Sequence, residues 1–364
     1  MPPSTKFSSA TIAFLGCIVA LAALGLLVAV SSAPPGEAGR VLLRHGGFLF
    51  AGACAFAVGM KLNPLHVRNY SFHASAILWV LLFLMLFTSI GHTANAATRW
   101  IQLGPLSIQP SLFLQVLWPV LLSSWIAKDP LRVKSIKPIG KILAFFFVLM
   151  MPVLFQPDIG SVGILVAVSG CVMLFAGLPT RVLFTAIPGL LAFGAATLFI
   201  FPHFSARLDS WSAGIPEQVL HAHDAFRYGG WFGAGPGNGV LKFGYIPEST
   251  TDFVLALIAE EWGMAGCLVV WAIFLALTFF GLRVARQSSH RYGILLMGAA
   301  TVVVSFQAAY NMAMVVGALP VKGLPLPFVS RGGSSLMALS LLLGIAINAT
   351  RANMRRHKSS SFGI

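Results

Sequence analysis

The chain has 364 residues, of which 57% are hydrophobic and 9% are charged. A soluble domain carries about 25% charged residues, so this composition excludes an ordinary soluble domain. The net charge is +14, but the sequence contains no soluble basic domain, so this charge does not indicate nucleic-acid binding. Long stretches without Asp, Glu, Lys or Arg recur, each able to hold the roughly 20 apolar residues of one transmembrane helix. The sequence therefore predicts an all-α polytopic membrane protein.

The apolar stretches predict about ten transmembrane helices in a single integral membrane domain, residues 1–364. Their predicted cores are 10–31, 46–60, 74–92, 111–127, 139–155, 160–178, 182–202, 262–282, 292–317 and 334–350. The longest connection, 203–261, follows the seventh span, and a loop of that length is usually functional or disordered. Its aromatic residues and glycines argue against disorder.

The positive charges predict the orientation of the chain. Two-thirds of the 24 Lys and Arg residues fall in segments on the side that holds the N-terminus. Because cytoplasmic loops carry an excess of Lys and Arg, both termini are expected in the cytoplasm. Residues 351–364 then form a short basic cytoplasmic tail, and residues 203–261 form a large extracytoplasmic loop. Of the 10 acidic residues only Asp129 falls inside, so acid–base chemistry is expected on the outer face.

Two short motifs in the large loop are weak signals. The sequence GAGPGNG, residues 233–239, could offer backbone amides to an anion. It could equally be only a tight turn, because no βαβ pattern surrounds it. The sequence HAHD, residues 221–224, could ligate a metal, but a fourth ligand is not evident. The 4 cysteines lie singly in apolar spans and indicate packing.

The end of the large loop, GYIPESTTDFVLALIAEEWG, carries a more specific pattern. The residues that could cap a helix here are Ser249, Thr250 and Thr251. Asp252 would then lie in the first turn, where the helix dipole favours a carboxylate. Glu260 would lie about 12 Å further along the axis, whereas a retaining glycosidase needs two carboxylates about 5–5.5 Å apart. A single acting carboxylate fits better, although Asp252 could also be only a helix-terminal charge.

Four blocks of sequence, in chain order, resemble those of one family of bacterial membrane proteins. The strongest, YNMAMVVGALPVKGLPLPFVSRGGSS at residues 310–335, resembles the signature of the family that contains FtsW, RodA and SpoVE. The matched positions are Asn311, Gly317, Pro320, Gly323, Pro325, Leu326, Pro327, Ser330, Gly332, Gly333 and Ser334. The other blocks are ANAATRWIQLGPLSIQPS at 94–111, QPDIGS at 156–161 and IPESTTDF at 246–253.

This resemblance implies a peptidoglycan glycosyltransferase of the bacterial cytoplasmic membrane. Such enzymes polymerise lipid II into glycan strands on the outer face, by inverting transfer that releases undecaprenyl pyrophosphate. The implied partners are lipid II, the nascent glycan strand, membrane lipid, a class B penicillin-binding protein that cross-links the strand, and other division proteins. A divalent cation, Mg or Mn, is also implied, without an identified site.

The family's essential acid falls on Asp252, which is expected to be the catalytic general base. The leaving group is a lipid pyrophosphate, so the site needs only a base for the sugar hydroxyl and donors for the developing negative charge. The candidate substrate-binding residues are Arg99, Trp100, Gln109, Asp158, Lys242, Glu248, Ser330, Gly332, Gly333 and Ser334.

Several of these candidates have two interpretations. Arg99 and Lys242 are cationic donors suited to a pyrophosphate. Trp100 could stack on a sugar or anchor the chain at the membrane interface. Asp158 could bind substrate or cap a helix. Residues 323–335 could line a cavity for the lipid head group or serve only to pack two spans.

This sequence departs from the family pattern at two places. Leu112 and Gln115 stand where the family usually has Glu and Lys, so no ion pair can form there and cation use is expected to be weaker. Ser249 and Thr250 replace the family's Ala and His before Thr-Asp.

The segment EQVLHAHDAFRYGGWFGAGPGNGVLKF resembles FtsW more than RodA, which favours the division septum over elongation. A lipid II flippase and a non-catalytic division scaffold remain as alternatives. Transporters usually place ionisable residues near the membrane midplane, whereas the acids here gather at one surface.

Overall fold

The computed structural model describes residues 7–34, 36–88, 91–94, 97–104, 106–134, 136–156, 158–179, 181, 214–241 and 250–352. Within these ranges the α-helices are α1 Ser9–Ser31, α2 Ala38–Lys61, α3 Pro64–Phe87, α4 Leu114–Lys128, α5 Ile136–Phe155, α6 Ile159–Phe175, α7 Glu217–Gly229, α8 Val254–Arg286, α9 Arg291–Val315 and α10 Gly333–Arg351. Short 3-10 helices, Pro110–Phe113 and Pro130–Lys134, flank α4.

The helices confirm an all-α membrane protein with several spans. Eight helices among the described residues are long and apolar enough to cross a membrane, and α6 is a shorter apolar helix of 17 residues. The predicted span 182–202 lies outside the described residues. The second and third helices begin well before the predicted cores 46–60 and 74–92, because α2 begins at Ala38 and α3 at Pro64. The first turns of α2 and α3 are helical although they contain polar residues, because long side chains can extend their charged groups out of an apolar layer.

A small antiparallel sheet, which the sequence did not predict, follows α3. Its strands are β1 His92–Ala94, β2 Ala97–Leu103 and β3 Leu106–Ile108, in the order β1-β2-β3. Gly104 has a positive φ of 61° at the turn between β2 and β3, a conformation that glycine adopts without strain. This sheet carries the chain from α3 to the start of α4.

The predicted eighth span, 262–282, is part of a longer helix with an interruption. Gly263, at φ 70° and ψ −168°, divides α8 into a half-helix, residues 254–262, and a membrane-crossing part that starts at Met264. Most side chains of the half-helix are buried, so it packs inside the protein rather than against lipid. Amides exposed by the interruption find new acceptors: Met264 N donates to Gly230 O at 2.9 Å and Ala265 N to Trp231 O at 3.1 Å.

The described parts of the large loop are folded. Helix α7 packs on the half-helix through one face of small and apolar residues, namely Val219, Ala222, Ala225 and Gly229. A Cβ at Gly229 would collide with the carbonyl of Ala259, so only glycine permits this approach. The loop therefore forms a packed layer over one end of the bundle.

The interior of the bundle consists of α4, α9 and α10, which are the most buried of the spans. Helix α10 also packs closely against α2, where a Cβ added at Gly59 would lie 2.7 Å from Leu341 O. Small residues let backbones approach in this way where apolar lipid provides little drive for helix association.

The alternating directions of the helices give the bundle two ends of different chemistry. Asp158, Asp252 and the loop 316–332 lie at one end, here called the site end. The basic residues of the last turns of α2, α4, α8 and α10 lie at the opposite end, namely Lys61, Lys128, Arg283, Arg286 and Arg351. If positive charge marks the cytoplasm, the site end faces outward.

This orientation predicts the labelling of single cysteines. Asn238→Cys, in the layer over the site end, should react with a membrane-impermeant maleimide in intact cells. Asp129→Cys, at the opposite end, should react only after permeabilisation. The background is a chain in which alanine replaces Cys17, Cys54, Cys171 and Cys267. The reverse pattern of labelling would overturn the orientation.

Candidate active site

The centre of the site end is the loop between α9 and α10, which carries the glycines and prolines of the signature. Asn311 of α9 is fully buried, and its Nδ2 donates to Leu324 O at 2.6 Å and to Asp252 O at 2.7 Å. One amide group therefore joins this loop to the segment that carries the candidate base. In a place with little water, such side-chain donors satisfy carbonyl groups that no helix satisfies.

Other polar groups hold the rest of the loop. Gln307 Nε2 donates to Pro325 O at 2.9 Å, and Tyr310 OH donates to Pro320 O at 3.1 Å. Ser330 Oγ accepts the amide of Leu326 at 2.8 Å, which closes a turn inside the loop. This hydrogen bond of Ser330 stabilises the loop. A contact of Ser330 with substrate stays a prediction.

Asp252 lies directly before the half-helix. The N-cap residue is Phe253, so the expectations that Asp252 lies in the first turn and that Thr250 or Thr251 caps the helix are wrong. Ser249 lies outside the described residues. The physical reason is that residues 250–252 form a turn whose Thr250 O accepts the amide of Arg331 at 3.1 Å.

The carboxylate of Asp252 faces the signature loop. A Cβ added at Gly323 would lie 3.2 Å from Asp252 Oδ2, so the absence of a side chain at Gly323 lets the carboxylate approach the loop backbone. Asp252 is half-buried. The structure thus brings the candidate base against a loop that the sequence placed more than 60 residues away.

Arg331 fastens the same loop from the other side. Its backbone amide holds Thr250, and its guanidinium donates to Ala29 O at the end of α1. Burial and then the nearby charge of Arg44 lower the pKa of the Arg331 guanidinium from its usual value. The described contacts place Arg331 in the framework that positions Asp252.

Asp158 is the centre of a second polar cluster. It caps α6 by accepting the amide of Ser161, and its Oδ2 also accepts Ser161 Oγ at 2.8 Å, Ser111 Oγ at 3.0 Å and Gln109 Nε2 at 3.2 Å. The capping interpretation is confirmed. These hydrogen bonds satisfy the buried oxygens of the carboxylate. Substrate binding by Asp158 and Gln109 stays a prediction.

The start of α10 belongs to this second cluster. The amide of Gln109 lies 3.3 Å from Ser334 Oγ, which donates in turn to Ser107 O at 3.1 Å. Gly332 is the N-cap residue of α10, and a Cβ at Gly333 would lie 2.6 Å from the ring of Phe48. The glycines therefore permit close packing here, and the β3 strand, α6 and α10 meet at one point.

Arg99 and Trp100 lie on β2 beside this cluster. Arg99 Nε donates to Gln156 O at 2.6 Å, which places the guanidinium next to the turn that leads to Asp158. Trp100 is half-buried and pairs with His92 across the sheet. The remaining candidates, Lys242 and Glu248, lie outside the described residues.

Two buried acids, Glu260 and Glu261, hold other segments of the chain in place, and this role was not predicted from the sequence. Glu260 Oε1 accepts the amides of Val240 and Leu241, the latter at 2.7 Å. Glu261 Oε2 accepts Ser31 Oγ at 2.6 Å. A pair of acids within an apolar run was the available signal, because a buried carboxylate must find donors. Glu260 thereby fixes the segment that runs directly into position 242.

The structure also bears on the expected cation. Among the described residues, no group of three or more His, Cys, Asp and Glu side chains is arranged to hold a metal ion. In HAHD, His223 Nε2 lies 3.2 Å from Val316 O and His221 Nε2 lies 3.6 Å from Glu217 Oε1, so both rings have structural partners.

Positions 112 and 115, where the family usually has Glu and Lys, carry no charge in this chain. Leu112 is buried in the 3-10 helix before α4, and Gln115 is 1% exposed. Neither polar atom of the Gln115 side chain has a hydrogen-bond partner among the described residues. The uncharged pair is therefore buried at a place where a lone charge would be costly.

Comparison with known proteins agrees with this architecture. Residues 8–355 match the family FTSW_RODA_SPOVE, described as "Cell cycle protein". A protein of Caulobacter vibrioides named "Probable peptidoglycan glycosyltransferase FtsW" is 30% identical over 93% of this chain and 88% of its own length. One with the same name from Tolumonas auensis is 35% identical over 92% of this chain and 90% of its own length.

A solved structure has the same fold. It comes from work titled "Structural coordination of polymerization and crosslinking by a peptidoglycan synthase complex" and aligns with a TM-score of 0.79. The alignment covers 93% of this chain and 96% of that chain, at 23% identity. The family match spans all of the described helices and includes both polar clusters of the site end. The chain belongs to the FtsW/RodA/SpoVE family of cell cycle proteins.

Proposed function

We propose that this chain polymerises lipid II into glycan strands on the outer face of the bacterial inner membrane, with release of undecaprenyl pyrophosphate. That the chain is a peptidoglycan glycosyltransferase rests on relatives of that name that are 30% and 35% identical over nearly their whole length. The single observation that carries the proposal is the position of Asp252 against Gly323 in the signature loop.

The reaction needs one base and a set of donors. The hydroxyl oxygen of the acceptor sugar attacks the anomeric carbon of the donor, the bond from that carbon to the pyrophosphate breaks, and Asp252 takes the hydroxyl proton. One displacement of this kind inverts the configuration. Because pyrophosphate leaves with its negative charge, the site stabilises an anion instead of supplying a strong acid.

Comparison with three buried acids of the site end, Asp158, Glu260 and Glu261, supports Asp252. The carboxylate of Asp158 is committed to Ser161, Ser111 and Gln109. Glu260 and Glu261 hold backbone amides and a serine hydroxyl. Asp252 combines a half-buried position with contact to the loop, which suits a group that must meet substrate.

The remaining candidates are proposed to bind the donor. Arg99 and Lys242 suit the pyrophosphate, as cations do. Trp100 suits a sugar face, and Gln109 and Glu248 suit hydroxyl groups. Residues 330–334, at the end of the loop and the start of α10, would lie under the lipid head group. We assign no step to a divalent cation, because the described residues include no group of ligands arranged to hold one. In phosphate-transferring sites, Mg²⁺ is usually bound by one or two carboxylates together with phosphates of the substrate.

The division septum and a class B penicillin-binding protein are part of the same proposal. The FtsW name of the relatives supports the septum, and the peptidoglycan synthase complex of the structural neighbour supports a cross-linking partner. The gathering of acids at the site end favours a surface-active enzyme over a flippase, since transporters place such groups near the midplane.

The first test replaces the base. Asp252→Asn keeps the shape of the side chain and removes its basicity, so lipid II polymerisation by the purified chain with its partner should fall about 10²-fold or more. Thermal unfolding should be unchanged. Asp224→Asn, which alters an exposed acid of α7, should polymerise at the wild-type rate. Polymerisation by Asp252→Asn close to the wild-type rate would refute the assignment.

The second test moves the base without changing its chemistry. Gly323→Ala places a methyl group 3.2 Å from the position of Asp252 Oδ2, so the carboxylate must shift by a few tenths of an ångström. We expect about a tenfold loss of polymerisation, since catalysis is sensitive to sub-ångström placement. Gly163→Ala is the control, because a Cβ there meets nothing within 4 Å. Equal rates for the two variants would contradict the contact.

The third test concerns the cation. A chelator should slow this chain less than it slows a family member that carries Glu and Lys at positions 112 and 115. Leu112→Glu combined with Gln115→Lys should increase the dependence of polymerisation on divalent cation. An equally strong cation requirement in the wild-type chain and the charged relative would show that these two positions do not govern cation use.

A further inference from the structure

The site described above does not use the most exposed aromatic side chains of residues 214–241, the part of the large loop before position 242 that the structure describes. At the end of α7, Tyr228 is 56% exposed, Trp231 is 68% exposed and Phe232 is 87% exposed. We call these three residues the aromatic tip. Neighbouring exposed apolar side chains can mark an interaction surface, and the partner here must be identified from the position of the tip.

Backbone hydrogen bonds fix the tip at the height where α8 enters the membrane. Met264 and Ala265, the first residues of the membrane-crossing part, donate their amides to Gly230 O and Trp231 O. Gly233 N donates to Gly229 O at 2.7 Å, and Ala234 N donates to Glu260 O at 2.9 Å. The tip is therefore a rigid extension of the outer end of this span.

The surface of α8 next to the tip is exposed, as expected where a membrane-crossing helix meets lipid. Met264, Leu268 and Trp271 are 38%, 48% and 53% exposed on a helix that crosses the membrane. Leu268 lies one turn below Met264, about 6 Å deeper. The exposed aromatic side chains thus continue a lipid-facing surface to the level of the head groups, where Trp and Tyr are enriched in membrane proteins.

We propose that the aromatic tip inserts into the boundary between head groups and acyl chains of the lipid leaflet at the site end. Arg227, exposed and paired with Asp224, lies next to Tyr228 and can meet lipid phosphates. The half-helix ends where the tip is attached and begins beside Asp252. The lipid surface thereby sets the depth of the half-helix and of the carboxylate at its start.

The test measures the depth of the tip directly. A single cysteine at Phe232, in the chain freed of its native cysteines, is labelled with bimane and reconstituted in nanodiscs of phosphatidylethanolamine and phosphatidylglycerol. Nitroxide groups at the head group or shallow acyl carbons should quench the label at least about threefold more than aqueous iodide does, as expected of an interfacial aromatic position. Asn238→Cys, exposed in the same loop, should show the opposite preference.

Three results would overturn the proposal. The first is equal quenching of positions 232 and 238 by iodide. The second is a label at 232 that iodide reaches freely until a penicillin-binding protein is added, which would make the tip a protein interface. The third is quenching only by nitroxides deep in the acyl chains. If Phe232→Cys unfolds below the temperature of its parent, Tyr228→Cys serves as the second position for the same measurement.

Discussion

The site end depends on one constraint, which is that irregular backbone near lipid must find hydrogen-bond donors within the protein. Asn311 meets this constraint for two segments at once, since a single buried amide holds the carbonyls of Asp252 and Leu324. The kinked, proline-rich loop is tolerated because α9 supplies these donors. A second link between the same segments is the amide of Arg331, which donates to Thr250 O at 3.1 Å.

A second structural feature holds the described part of the large loop in place at the site end. Gly263 interrupts α8, and the carbonyls of Gly230 and Trp231 replace the acceptors that the interruption removes. The half-helix can therefore pack across the end of the bundle while the rest of α8 crosses the membrane. Glu260 and Glu261 then act as buried anchors, because Oε1 of Glu260 and Oε2 of Glu261 accept hydrogen bonds from other segments of the chain.

The two polar clusters share the signature loop. Gly323 in the middle of the loop lies against the carboxylate of Asp252, and Ser334, in the first turn of α10 directly after the loop, joins Gln109 and the cap of α6. In the proposed reaction, groups that would hold the donor and the group that would activate the acceptor are thus parts of one framework. A shift in this loop would alter binding and proton transfer together.

The sequence by itself determined the membrane class, most of the spans, the charge asymmetry and the family, because apolar length, basic loops and ordered motifs are properties of neighbouring residues. It did not predict the contact of the signature loop with Asp252 at Gly323. The start of the half-helix at Val254, the cap and cluster around Asp158, and the anchoring by Glu260 and Glu261 were decided by tertiary structure. Each depends on donors and acceptors from segments far apart in the chain, and local pattern carries no information on which distant group will satisfy a buried polar atom.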